Sequence, residues 1–198
     1  MIAPTHLDCG WQERPAEVGP PENGPGDHPP AHRVILPCDS TGFRTFMSQW
    51  PTGVTIVTTA ERRTPVGCTV NAMMSVSLSP RLLVIALVTG SRTLNAIQGS
   101  HRFALNLLRA GHRQLCHRFA TRGLADRFDG VGYHWHRGVP LIDDVATAVV
   151  CDVDRLIECG DHTLVVGEPV WQSMSTEDDP LVFYHSGLRG LAEPEDPR

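Results

Sequence analysis

Two long segments that alternate apolar with polar residues, 146–158 and 163–170, are separated only by Cys159-Gly160-Asp161-His162. Alternation with period two marks a strand buried on one face, and so short a connection returns the chain antiparallel, because a parallel crossover needs about a dozen residues or more. The same economy recurs upstream. Val54-Thr55-Ile56-Val57-Thr58-Thr59 is β-branched throughout, and a polar turn over 61–65 leads into a strand beginning at Val66, so these two strands form a hairpin. Pro80 opens a buried strand over 82–88, residues 102–108 read as another, and 181–184 as a short last one. Helices are few. Ser40 or Thr41 caps one that carries Phe43, Phe46, Met47 and Trp50 in a single stripe. Residues 94–98 form a short second helix closed by Gly99, and 111–120 a third with Leu115 and Phe119 inward. Residues 121–140 read as irregular loop. No βαβ rhythm and no GxGxxG motif occurs, which argues against a doubly wound nucleotide fold. About six or seven hairpin-linked strands with two or three inserted helices predict a mainly β chain, a small closed or split antiparallel barrel.

Composition removes several kinds of chemistry. The 17 basic residues are all arginine, so a P-loop lysine, a Schiff-base lysine and a lysine base are excluded. Any phosphate must be held by guanidinium, hydroxyl and backbone N–H groups. A formal net charge of −5 with no basic run argues against a nucleic-acid partner. The longest apolar run, 82–88, falls far short of the roughly twenty residues of a membrane helix, and the N-terminus lacks the basic-then-apolar order of a secretion signal. A cytoplasmic protein with no membrane association is expected. The six cysteines, at 9, 38, 68, 116, 151 and 159, form no CxxC pair and are expected to be free thiols. Residues 1–40 hold eight of the 16 prolines, with six acids against two arginines. Such a stretch buries too little apolar surface to offset its ordering entropy and reads as a flexible arm, the alternative being that Trp11 and residues 34–36 dock on a neighbouring subunit. Residues 41–188 then form one domain and 189–198 a polar tail.

One stretch stands apart from ordinary core strand. GCTVNAMMSVS, residues 67–77, joins two apolar strands yet is crowded with Thr69, Asn71, Ala72, Ser75 and Ser77 beside no charge. That pattern suits a strand edge holding a flat, polar-rimmed ring. About twenty residues after Asn71, Ser91-Arg92-Thr93 precedes the short helix, and two hydroxyls, a guanidinium fork and helix N-terminal N–H groups make a phosphate clasp. His134 and His136 share a strand face but have no evident third ligand, His112 and His117 are five apart, and no HExxH occurs, so no metal site is expected. Cys68 reads as a buried structural thiol rather than a reactive one.

Five motifs in order, PTGVTIVT (51–58), GCTVNAMMSVSLSP (67–80), SRT (91–93), RFALNLL (102–108) and GDH (160–162), resemble the flavin reductase-like, FMN-binding split-barrel family over residues 43–184. The resemblance implies a six-stranded Greek-key split barrel with flanking helices, a homodimer with flavin near the subunit interface, and transfer of a hydride from NADH or NADPH to FMN, with FAD possible. It also implies delivery of reduced flavin to a separate monooxygenase. The flavin shelf would comprise Thr69, Val70, Asn71, Ala72, Ser75, Val76 and Ser77, with Thr52 and Val54 bordering the pyrimidine or ribityl edge. Ser91, Arg92 and Thr93 would hold the phosphate, and Phe119 and Ala120 would close over it. His162 is the expected catalytic side chain, at the nicotinamide, with Tyr184 and His185 adding contacts to NAD(P)H. Departures are Cys68, where methionine is common, and Asn71-Ala72, where serine and phenylalanine are frequent. Two other readings of the same fold are an oxidase or oxygenase that retains its flavin, and a non-catalytic flavin-binding module.

Overall fold

The computed structural model describes residues 34–124, 126–175 and 179–191. Trp11, with most of the expected arm and tail, lies outside the described residues. The chain opens with helix α1 (Ser40–Met47). Its cap is Asp39, one residue before the expected Ser40 or Thr41, because the extended Asp39 lets its Oδ1 accept from Gly42 N at 2.7 Å. The stripe on α1 does not face a core, since Phe43, Phe46, Met47 and Trp50 are all exposed.

The strands follow: β1 (Thr52–Gly53), β2 (Thr55–Glu61), β3 (Thr64–Val70), β4 (Met73–Leu78) and β5 (Arg81–Val88). After helix α2 (Arg92–Ser100) come β6 (Arg102–Leu107), a 3-10 turn (Ala110–His112) and α3 (Arg113–Ala120). The remainder is β7 (Tyr133–His136), β8 (Val139–Ile142), β9 (Thr147–Cys159), β10 (His162–Met174), β11 (Val182–Tyr184) and β12 (Gly187–Arg189). Seven strands form one fully antiparallel ladder in the order β3-β2-β6-β9-β10-β5-β4, rather than six. The two edge strands, β3 and β4, are consecutive in sequence and joined by Asn71-Ala72 alone, and no ladder closes between them.

Both expected hairpins form. β2 pairs with β3 from Thr55↔Val70 to Glu61↔Thr64. β9 and β10 meet at Cys159↔His162 around Gly160-Asp161, where Gly160 takes the positive φ of 62° that the tight turn needs. β10 runs past the expected 170 to Met174, because register shifts at Val166/Gly167 and Pro169/Trp171 let the ladder bend and continue. Gly167 is required within this bend: a Cβ there would lie 2.6 Å from Phe103 Cζ. Helix α2 continues beyond Gly99, because His101 takes the left-handed conformation (φ 54°) and its N–H reaches Ile97 O at 2.8 Å.

The β-branched run of β2 is explained by burial on both faces. Val57 packs with Ile85, Leu94, Phe103 and Val165, while Ile56 packs with Leu108, Phe119, Phe128 and Leu181 on the other side. The segment expected to be loop, 121–140, instead contains β7 and the start of β8, a hairpin turning at Arg137-Gly138. Its signal is weak in sequence because β7 reads YHWH and β8 is only four residues, all buried, with Pro140 inside it. A buried polar staple holds it down. Asn106 Nδ2 donates to Ile56 O (2.9 Å) and Thr58 Oγ1 (3.1 Å), Asn106 Oδ1 accepts from Ile142 N (3.0 Å), and Thr58 Oγ1 donates to Pro140 O. Among the described residues no helix is long and apolar enough to cross a membrane.

Candidate functional site

The site is built where the sheet's two edges meet. Because β3 ends at Val70 and β4 starts at Met73, Asn71 and Ala72 belong to neither ladder. Their carbonyls are used, Asn71 O by Met73 N and Ala72 O by Ala86 N, each at 3.1 Å. Their own N–H groups have no protein partner among the described residues. The Asn71 side chain donates to Thr52 Oγ1 at 3.3 Å, tying β1 to this corner. Thr69 spends its hydroxyl on Cys116 O at 2.7 Å, so it supports α3 rather than presenting a free donor.

The second half of the site is the start of α2. Ser91 caps the helix, its Oγ accepting from Leu94 N at 3.4 Å. The N–H groups of Arg92 and Thr93 remain without a protein partner among the described residues, as a first helical turn leaves them. A single cleft of about 490 Å³ joins the two halves. Cys68, Thr69, Val70, Asn71 and Ala72 line it from β3 and the corner; Ser91, Arg92 and Thr93 line it from α2, and Phe119 and Ala120 from α3. Ala86–Val88 of β5, Arg122, Arg127 and His162 complete it.

Three arginines make the cleft cationic in a chain that is acidic overall. Arg92 is paired with Glu61. Arg127 is built in: Nη1 donates to Gly67 O (2.7 Å) and Nη2 to Thr121 O (2.8 Å), while its Nε is buried with no partner among the described residues. A second recess of about 520 Å³, with Phe128 and Tyr133 in its wall, shares Arg92 and Arg127 with the cleft. At the rim, His162 Nδ1 lies 2.7 Å from Asp161 Oδ1, and this hydrogen bond holds the exposed Asp161 carboxyl below the usual carboxylate range.

Burial pushes the Cys68 thiol up, against the lowering effects of a hydrogen bond with Thr93 and the charge of Arg127. Burial also raises Cys116, and it raises Cys151 to about 12. The five cysteines at 38, 68, 116, 151 and 159 are free thiols. Since the thiolate is the nucleophile, iodoacetamide at neutral pH should label exposed Cys38 and Cys159 well before Cys68, Cys116 and Cys151. Peptide mapping by mass spectrometry checks this; labelling of Cys68 as fast as Cys159 would contradict its reading as an inert wall residue.

The other expected site residues lie elsewhere. Ser75, Val76 and Ser77 run along the outer edge strand β4, beyond the cleft wall. Val54 lines a neighbouring recess of about 470 Å³, with Arg113, Phe183 and Leu188, that shares Thr69, Asn71 and Ala120 with the cleft. Thr52 touches the corner only through Asn71. Tyr184 and His185 sit at the turn between β11 and β12, where His185 N donates to Ser48 O (2.8 Å) and Arg189 lies over the Tyr184 ring at 5.8 Å, outside the cleft. Arg122 and Arg127 are what the sequence reading missed. The only hint was the local density of arginine at 118, 122 and 127 in a segment read as loop. His134 Nδ1 lies 2.9 Å from Asp143 Oδ1, and His136 packs against the Trp171 ring with its Nε2 buried and without a partner among the described residues.

An antiparallel sheet thus opens its edge-strand corner and the start of α2 on one arginine-lined cleft. Residues 47–192 match the flavin reductase like domain, and the chain belongs to that family. It is 34% identical over 155 residues to a probable flavin reductase of Rhizobium meliloti (strain 1021), covering 77% of this chain but only 46% of that relative's length. It is 32% identical over 158 residues to a flavin-dependent monooxygenase reductase subunit of Rhodococcus jostii (strain RHA1), covering 79% of this chain and 80% of the relative. Among solved structures, the NADH:FAD oxidoreductase of Streptomyces globisporus C-1027, in complex with NAD and FAD fragments, superposes with a TM-score of 0.77 at 31% identity, over 83% of this chain and 99% of that one.

Proposed function

We propose that this chain is an NAD(P)H-dependent flavin reductase that takes a flavin and a reduced nicotinamide dinucleotide as substrates. One observation carries the reading. Unpaired N–H donors at Asn71-Ala72 and an arginine-bearing helix start at Ser91-Arg92-Thr93 border the same cleft, with His162 at its rim. The donor set fits a flavin: backbone N–H groups suit the carbonyl and ring-nitrogen acceptors of the isoalloxazine, and guanidinium with helix N–H groups suits the phosphate.

When bound, the flavin supplies the redox chemistry, accepting at N5 the hydride from nicotinamide C4. The chain's part is placement. Asn71 and Ala72 orient the ring edge, Cys68 and Val70 form an apolar wall, and Phe119 and Ala120 cover the approach to the clasp. His162, steadied by Asp161, guides the nicotinamide. FMN is the flavin that the family resemblance implies. The recess beyond Arg92 and Arg127 leaves room for the larger FAD, the flavin after which the Streptomyces globisporus relative is named. The fold is the split barrel of the family, with the open seam between β3 and β4. The working unit is a homodimer, a reading supported by the exposed Met73, Met74, Val76 and Leu78 along edge strand β4. Reduced flavin is handed to a separate monooxygenase component, a reading supported by the Rhodococcus jostii relative, which is named as the reductase subunit of a flavin-dependent monooxygenase.

The test is NADH and NADPH oxidation by purified protein with FMN, FAD and riboflavin supplied in turn. Turnover that depends on added flavin is expected. Protein that retains a yellow flavin and needs none added, or that binds flavin without oxidising either dinucleotide, would overturn the assignment. Arg92→Ala should weaken FMN binding by about 1.5–3 kcal/mol, the range for a lost charge-assisted hydrogen bond, with riboflavin unaffected. Isothermal titration of both ligands measures it, and equal affinity of the parent for FMN and riboflavin would remove the clasp.

A further inference from the structure

Arg92 is the charged member of the proposed clasp, yet its guanidinium is already engaged. Its Nε and Nη2 both donate to Glu61 Oε2, at 3.2 and 3.1 Å. Glu61 is the last residue of β2, and the two residues after it, Arg62 and Arg63, take left-handed conformations with φ of 48° and 69°. That tight turn pairs Glu61 with Thr64 and pins its backbone, so the carboxylate reaches Arg92 from a fixed strand end rather than from a loose loop. It meets Arg92 at the first residue of α2, beside the unpartnered N–H groups of the first turn. The place suited to a ligand's anion is served by an anion of the protein's own.

We propose that Glu61 is an internal competitor for Arg92: it holds the guanidinium in the ligand-free protein, yields it to the flavin phosphate, and thereby sets the affinity and release rate of phosphorylated flavins. This rests on the reading of Ser91-Arg92-Thr93 as the phosphate clasp. The pair is half exposed, with side chains 56% and 52% accessible. Its strength is therefore that of a surface ion pair, enough to tune binding and not enough to block it. A reductase that passes its flavin to another protein gains from such a device, since the clasp keeps its geometry while its grip is weakened. Glu61 is an affinity-setting residue and touches no reacting atom.

The test is titration of FMN and riboflavin into the parent, Glu61→Gln, Glu61→Ala, Arg92→Ala and the Glu61→Gln/Arg92→Ala double variant, with stopped-flow measurement of FMN release. Removing the competing carboxylate and its repulsion of the phosphate should lower the FMN Kd by about three- to tenfold and slow release by a similar factor. Riboflavin, which has no phosphate, should shift by less than about twofold, and in the Arg92→Ala background the gain for FMN should shrink to about twofold or less. Glu61→Ala, without an amide to form new bonds, should move FMN affinity in the same direction. Unchanged FMN affinity in both Glu61 variants, with Arg92→Ala still weakening FMN, would refute the competition and leave the clasp standing. Equal tightening of riboflavin and FMN would refute it as well. If Arg92→Ala fails to separate FMN from riboflavin, the clasp is wrong and the inference falls with it.

Discussion

Asn106→Leu is expected to lower unfolding stability by about 3–4 kcal/mol, because three buried hydrogen bonds worth about 0.5–1.5 kcal/mol each are lost at once and Ile142 N is left without its partner, while Thr58 keeps Pro140 O. The amide is fully buried on β6 and bonds to two strands: Ile56 O and Thr58 Oγ1 on β2, and Ile142 N on β8. Leucine fills a similar volume, so the loss reports on hydrogen bonding rather than on a cavity. It should appear as a lower urea midpoint with an unchanged slope. A loss below about 1 kcal/mol would mean that the apolar contacts of Val139 and Leu141, with the Thr58–Pro140 hydrogen bond, suffice to hold the β7–β8 hairpin to the sheet.

His162→Ala should cut kcat/KM for NADH by about 30–100-fold, the scale on which a mispositioned reactant loses rate, while flavin Kd stays within about threefold. The side chain is at the cleft rim, at the first residue of β10, and its ring is oriented by Asp161 one residue earlier. Steady-state kinetics at limiting NADH, with fluorescence titration of flavin alongside, separates the two quantities. An unchanged NADH term would remove His162 from the redox step, and a matched loss in flavin affinity would make it a flavin contact instead.

How much of this was legible beforehand follows from which signals are local. The β2–β3 and β9–β10 hairpins were readable, since alternation and a short polar turn leave the chain few other choices. The β7–β8 hairpin was not: the alternation in YHWH lasts only four residues, and part of what holds β8 is an asparagine 36 residues away from Ile142. The stripe on α1 was correctly periodic but says nothing about what covers it, and within the chain it stays exposed. At the site, the corner at Asn71-Ala72 and the cap at Ser91 could be named from residue types alone. Thr69 lines the cleft, but that its hydroxyl serves α3, 47 residues on in sequence, is a tertiary encounter that no local pattern records. Ser75, Val76 and Ser77 continue the same polar stretch, and the structure sets them along the open edge of β4.

By itself, then, the sequence determined the antiparallel pairing, the capped start of α2 and the two short segments that border the cleft, because period, turn length and capping chemistry act over a few residues. Only the tertiary structure decided which charges meet there. Arg127 reaches Gly67 across 60 positions and Arg92 reaches Glu61 across 31. Such encounters depend on how the sheet curls its edge strands toward one corner, and curvature is a sum over the whole ladder that no local pattern records.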